Sequence, residues 1–318
     1  MATGLRAMLG ERLTGSQGMM RFEEFVVAQA KKHYTLREFL TRVARKASPE
    51  KVIILDYPID SKPRWNQENP NLPLYDIINL NRSTYKNHLQ SFLSFVEYLI
   101  KVPARPPNDS PSPEPCWVNG WMPALDGVSL YSFIALNKPK YYLEVGSGNS
   151  TKFAHRAITD HKLRTKIISI DPCPRVEVND ICDQTIRQPV ESVSLEIFDV
   201  LEANDILYID NSHRVFMNSD ATVIFVDVIP RLKPGVLMEI HDVMLPYDYP
   251  SEWIGRYYSE QYLLAAYLLA KGNRFDIVLP SFFISHDPEM RELLSPLWVK
   301  EQMKNVETHG VSFWIRIK

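Results

Sequence analysis

Residues 141–151 read YYLEVGSGNST: the carboxylate Glu144 stands two residues ahead of Gly146, then come Ser147, Gly148 and the small polar run Asn149, Ser150, Thr151. Side chains of these types at this spacing can cradle a nucleotide. Tyr141, Tyr142, Leu143 and Val145 suit a buried strand. Gly146 and Gly148 permit positive φ and let a ligand come close where a Cβ would collide. Asn, Ser and Thr are N-cap types, which leaves free N–H groups of a following helix facing the turn. The acid narrows the choice of ligand. A dinucleotide fingerprint places a third glycine where this chain has Thr151, and a phosphate beside Glu144 would be repelled. A ligand with a cationic amino acid part and no phosphate fits better.

A second constellation follows two later apolar runs. Asp210 and His213 close IDNSH, and His241 and Asp242 close EIHD. If both runs are neighbouring parallel strands, their carboxyl ends bring these four side chains together. Two uses are open: a histidine, His213 or His241, acts as a base because imidazole titrates near neutral pH, or Asp210, His241 and Asp242 hold a divalent metal.

The elements that must position these groups alternate. Strands are expected over residues 141–145, 166–171, 185–188, 205–210, 234–242, 275–280 and 310–318. Helices are expected from the glycine turn to about 160, over 191–204, over 220–232 and over 259–271, with Gly272 as the residue that ends the last. Such alternation predicts an α/β fold, a Rossmann-like, mainly parallel seven-stranded sheet covered on both faces. Upstream, apolar residues at helical spacing predict one or two helices over 21–47, a short strand over 52–58, a proline-punctuated loop through Pro63, Pro70 and Pro73, and a helix over 81–102. The proline-dense residues 103–115 read as an extended linker. The expected organisation is therefore a mainly helical region 1–102, that linker, and a domain over 116–318.

E-x-G-x-G with these flanks resembles motif I of the class I S-adenosylmethionine-dependent methyltransferases, and the order of elements over 116–318 is similar to that fold, with its antiparallel final strand. The resemblance implies S-adenosylmethionine as cofactor, held by Glu144, Gly146, Ser147, Gly148, Thr151, Asp171, Glu191 and Asp210. Asp171 would accept the two ribose hydroxyls and Glu191 would meet the adenine edge. It also implies methyl transfer to oxygen, less readily nitrogen, of a small-molecule or sugar-like acceptor, with His213, His241 and Asp210 at the reaction centre. Metal-dependent relatives place Asp or Glu where this chain has His241. The aromatic run Tyr247, Tyr249, Trp253, Tyr257 and Tyr258 would either wall the substrate or pack on the N-terminal region. The competing classes are a nicotinamide- or metal-dependent oxidoreductase or oxygenase on a similar sheet, and a cofactor-binding protein without catalysis.

Composition excludes little else. With 318 residues, 45% hydrophobic and 23% charged, the chain is an ordinary globular sequence. A net charge of −2 argues against a polyanion-binding surface over the whole molecule, so nucleic acid is not an expected partner. Cys116, Cys173 and Cys182 lack metal spacing and suit free thiols in a reducing, cytoplasmic setting. No apolar run reaches the ~20 residues a membrane span needs. Self-association through the N-terminal helices is left open.

Overall fold

The computed structural model describes residue 38 and residues 59–106 and 112–318. Apart from Glu38, the helices expected over 21–47 and the strand expected over 52–58 lie outside the described residues. The chain divides into units 1–61 and 62–318, and every element with described bounds falls in the second.

Short runs of β-branched and aromatic residues form the strands β1 (Tyr141–Val145), β2 (Lys166–Ile170), β3 (Gln184–Ile186), β4 (Ile206–Ile209), β5 (Leu237–Ile240), β6 (Phe275–Pro280) and β7 (Phe313–Ile317). They make one sheet in the order β3-β2-β1-β4-β5-β7-β6. β3, β2, β1, β4 and β5 are mutually parallel, while β7 runs antiparallel to both β5 and β6. In β1, β2, β4 and β5, all but Tyr141 and Lys166 are buried, as strands covered on both faces require. This is the mainly parallel sheet with an antiparallel last strand that the alternation and the resemblance imply.

Chain order reverses between β1 and β4, which are direct neighbours. The ladder runs one residue past each strand: Gly146 N–H bonds Ile170 O at 3.0 Å, Asp210 N–H bonds Val145 O at 2.8 Å and His241 N–H bonds Ile209 O at 2.8 Å. Gly146, Asp210 and His241 are thereby set side by side at the carboxyl edge, in the crevice where open α/β sheets bind ligands.

Helices α1 (Leu72–Asn79), α2 (Arg82–Phe92), α3 (Ala124–Asn137), α4 (Asn149–Asp160) and α5 (Glu260–Leu269) surround the sheet. α3 is buried almost throughout and packs on α4. Leu74 and Ile78 of α1 and Tyr85, Leu89 and Phe92 of α2 join the same apolar core as the strands.

Several local expectations change. α1 occupies part of the expected proline-rich loop, because Asn71 accepts Leu74 N–H at its start and Pro73 sits in the first turn, where a missing N–H costs nothing. The helix expected over 191–204 is two 3₁₀ turns, Val190–Ser192 and Leu195–Val200; extended Val193 and Ser194 separate them. The helix expected over 220–232 starts as an α turn, widens to a π turn at Ile224–Val228 and tightens at Ile229–Arg231, around Pro230, which has no N–H to donate. At the end of α5 the left-handed residue is Lys271 (φ 54°), not Gly272. Among the described residues no helix is long and apolar enough to cross a membrane.

Candidate active site

Gly146 makes the turn after β1 at φ +85°, and a Cβ there would sit 1.7 Å from the carbonyl oxygen of Asp210. Only glycine fits. Gly148, by contrast, is extended at φ 173°, and an added Cβ would meet nothing nearer than Val176 at 3.8 Å. Its expected need for positive φ is absent.

Glu144 is fully buried and turned inward. Tyr142 and Ser150 hydroxyls donate to its Oε2 at 2.9 and 3.1 Å, and the Thr151 hydroxyl donates to Oε1. Thr151 Oγ1 in turn accepts Gly148 N–H at 3.0 Å. Glu144 therefore fastens the start of α4 to β1, and neither it nor Thr151 is among the residues that line the two clefts beside the glycine turn. Burial pushes its pKa up to about 7 against the hydroxyl donors, which favour the charged form. A carboxyl raised from 4.5 in the folded state supports folding fully below that value, and the support is lost as pH rises through about 7. Wild-type protein will lose on the order of 3 kcal/mol across that window through this group, and denaturation of Glu144→Gln at successive pH values will show a correspondingly flatter profile.

Asp171, one residue past β2, accepts Ser147 N–H on Oδ2 and Cys173 N–H on Oδ1, both at 2.8 Å. With Gly146, Ser147, Glu191 and Asp210 it lines a cleft of about 300 Å³. Arg175, from the same rim, stacks 4.4 Å over the Trp121 ring. Ser147, Arg175 and Asp210 also line a small adjoining cavity with Gly148, His241, Trp121 and Met122. The two last residues continue into a third cavity of about 470 Å³, on which Asp242 opens. The small cavity thus shares lining residues with both larger ones along the carboxyl edge of the sheet.

Between the large cavities lies an ionic cluster. His213 Nε2 faces Asp210 Oδ1 at 3.2 Å and Asp242 Oδ2 at 3.5 Å, while its Nδ1 meets Glu260 Oε2 at 3.0 Å. His241 Nδ1 faces Asp242 at 3.6 Å and Asp210 at 3.8 Å, and its Nε2 faces Asp126 at 3.5 Å. Each imidazole thus has a buried carboxylate behind it, Glu260 or Asp126, and the Asp210–Asp242 pair in front. Burial opposes the charge on both rings, but the surrounding carboxylates win and hold both pKa values well above the ordinary range. Burial likewise works to raise Asp210, yet the His213 hydrogen bond and the charges of His241 and His213 bring it to about 2. Asp242 is raised, chiefly by burial. His213 (φ 58°) and Asp242 (φ 54°) are left-handed, a conformation that costs roughly 1–3 kcal/mol each and persists where the surroundings impose it. Among the described residues no three His, Cys, Asp or Glu side chains are disposed to hold a metal ion. Within the trio expected for that role, His241 Nδ1 faces the carboxylates of Asp242 and Asp210 at 3.6 and 3.8 Å.

The cluster thus gathers His213, His241, Asp210 and Asp242 as the strand-end reading requires. Asp126 and Glu260 were missed. Asp126 carries a signal, being an acid inside the apolar helix ALDGVSLYSFIALN. Glu260 carries none, since an acid in a first helical turn is ordinary dipole matching. The aromatic run divides: Trp253 lines the large cavity, Tyr249 stacks on Trp253, Tyr247 packs on Phe282, and Tyr257 is exposed.

Residues 143–243 match a family described as a methyltransferase domain. No curated protein matches the chain. Among solved structures, the SAH-bound Podospora anserina methyltransferase PaMTH1 is 15% identical over 88% of this chain and 96% of that one, with a TM-score of 0.38. The structure cmcI-N160 SAH is 15% identical over 67% and 88%, with a TM-score of 0.34. Coclaurine N-methyltransferase bound to N-methylheliamine and SAH is 8% identical over 76% and 93%, with a TM-score of 0.28. The matched segment runs from the third residue of β1 to just past β5 and includes the glycine turn. Over residues 143–243 the chain thus matches a methyltransferase domain, set on a sheet with the parallel order and antiparallel last strand of the class I S-adenosylmethionine-dependent methyltransferase fold.

Proposed function

We propose that S-adenosylmethionine occupies the 300 Å³ cleft and that its methyl group passes to an oxygen of a small acceptor seated in the 470 Å³ cavity. The observation that carries this reading is the Gly146 turn, where the β1 backbone passes so close to Asp210 that no side chain fits, at the one edge both cavities share. Gly146, Ser147 and Gly148 would present backbone to the ligand. Asp171 would accept the ribose hydroxyls with the lone pairs that Ser147 and Cys173 leave free, and Glu191 would meet the adenine edge. Glu144 and Thr151 would act at one remove, by holding the start of α4.

When bound, the sulfonium supplies an electrophilic methyl group. Asp210, held ionised, would place a negative charge beside it. The two histidines, already carrying protons, would anchor Asp210 and Asp242 and fix the geometry of attack, where most of the rate would come from orientation. Asp242 opens on the acceptor cavity with a raised pKa and would receive the acceptor's proton.

Isothermal titration with S-adenosylhomocysteine tests the first half. Asp171→Ala should weaken binding roughly ten- to hundredfold through loss of charge-assisted hydrogen bonds, and unchanged affinity would sink the assignment. Transfer of labelled methyl to a panel of phenols and sugars tests the second. Asp242→Asn should retain the cofactor and lose about 10²- to 10⁴-fold in rate.

A further inference from the structure

The 470 Å³ cavity has a lining that selects by charge. Its walls are Trp117, Trp121 and Trp253 with Met122 and Met244, flat and polarizable surfaces suited to an aromatic body. Its charged and titratable members are Asp242, inside, Glu307, exposed, and His309; among the described residues no lysine or arginine lines it. Two guanidiniums outside the lining stack on its walls. Arg256 stacks 3.9 Å over Trp253 and Arg175 stacks 4.4 Å over Trp121, so both indoles already show that their faces accept cations. The cofactor cleft differs, because Arg175 does line it. Asp242 is already faced by His213, His241 and the charge of Arg256, so the discrimination falls to Glu307: an anion at that end of the cavity would meet its carboxylate, whereas a cation would meet the carboxylate and π-faces together.

We infer that the acceptor taken by this cavity is a flat, largely apolar molecule bearing a positive charge, and that Glu307 helps to discriminate against anionic acceptors. The inference rests on the methyl-transfer reading and narrows its small-molecule or sugar-like acceptor to a cationic aromatic one. Glu307 suits a test because its side chain is exposed and its fold contact, the carbonyl that accepts Ala124 N–H at 2.9 Å, is backbone. Trp121 is 61% exposed and can likewise be changed without opening the core.

Tyramine and 4-hydroxyphenylacetate carry the same phenol and opposite charges. Binding of each to the full chain saturated with S-adenosylhomocysteine, followed by isothermal titration, should favour tyramine by about tenfold. Glu307→Gln should narrow that ratio roughly two- to fivefold, the worth of an exposed charge pair, and Trp121→Ala should weaken tyramine. Equal or tighter binding of 4-hydroxyphenylacetate, no binding of tyramine, or a ratio untouched by Glu307→Gln would overturn the inference while leaving cofactor binding intact. Failure of S-adenosylhomocysteine itself to bind would instead remove the methyl-donor reading, and this inference with it.

Discussion

Gly146→Val will abolish measurable binding of S-adenosylhomocysteine, while Gly148→Ala will leave it close to wild type. The two glycines look equivalent in the sequence, and the backbone separates them. At Gly146 the side chain must enter a left-handed conformation, which costs roughly 1–2 kcal/mol for a non-glycine residue. It must also displace the Asp210 carbonyl, 1.7 Å from the new Cβ. That carbonyl belongs to a residue tied to β1 by its own N–H, so relief of the overlap moves the end of β4, and with it the Asp210 carboxylate and the floor of the cleft. Gly148 has an extended φ and open space around it. Titration of both variants, with thermal unfolding to confirm that each is folded, separates the outcomes. Wild-type affinity in Gly146→Val would mean that the turn does not face the cofactor.

Asp126→Ala will destabilise the protein by about 3–5 kcal/mol, the range for removing one partner of a buried ion pair. Asp126 is wholly buried. Its carboxylate accepts Val311 N–H at 2.8 Å and Ser312 N–H at 3.0 Å, and it faces His241 Nε2 at 3.5 Å. Its loss leaves two backbone donors unpaired just ahead of β7 and a charged imidazole without its rear partner. His241 will then give up its proton more readily, so the variant should show a lowered imidazole pKa by NMR titration. Asp126→Asn keeps an acceptor for the backbone and will recover part of the stability without restoring that pKa. A variant as stable as wild type would show that the cluster is not held through α3.

The order of strands and the glycine turn were legible because both are written in short-range pattern. Continuous apolar runs such as KIISI and ILYI mark strands buried on two faces, and the acid and glycines of LEVGSG mark where the first of them must bend. Asp171, Asp210, His213, His241 and Asp242 could be placed together because parallel strands carry whatever follows them to one edge. The helix expected over 191–204 failed for the converse reason: its apolar spacing suits a helix, but Ser194 caps the second turn instead of continuing the first. α1 was hidden behind Pro73, a residue that breaks helices everywhere except at their start.

Residue order alone therefore determined the sheet and the edge at which the strand-end acids and histidines gather, since each depends on local periodicity and on the end of a strand. Tertiary structure decided which of those residues face outward. Glu144, the acid that singled out the ligand, is spent inside on three hydroxyls, and of the two glycines only Gly146 needs to be one. Asp126 and Glu260, distant in sequence, join Asp210 and Asp242 in holding the charge of the two histidines. A pKa depends on burial and on neighbours within a few ångströms, and neither is a property of the position in the chain.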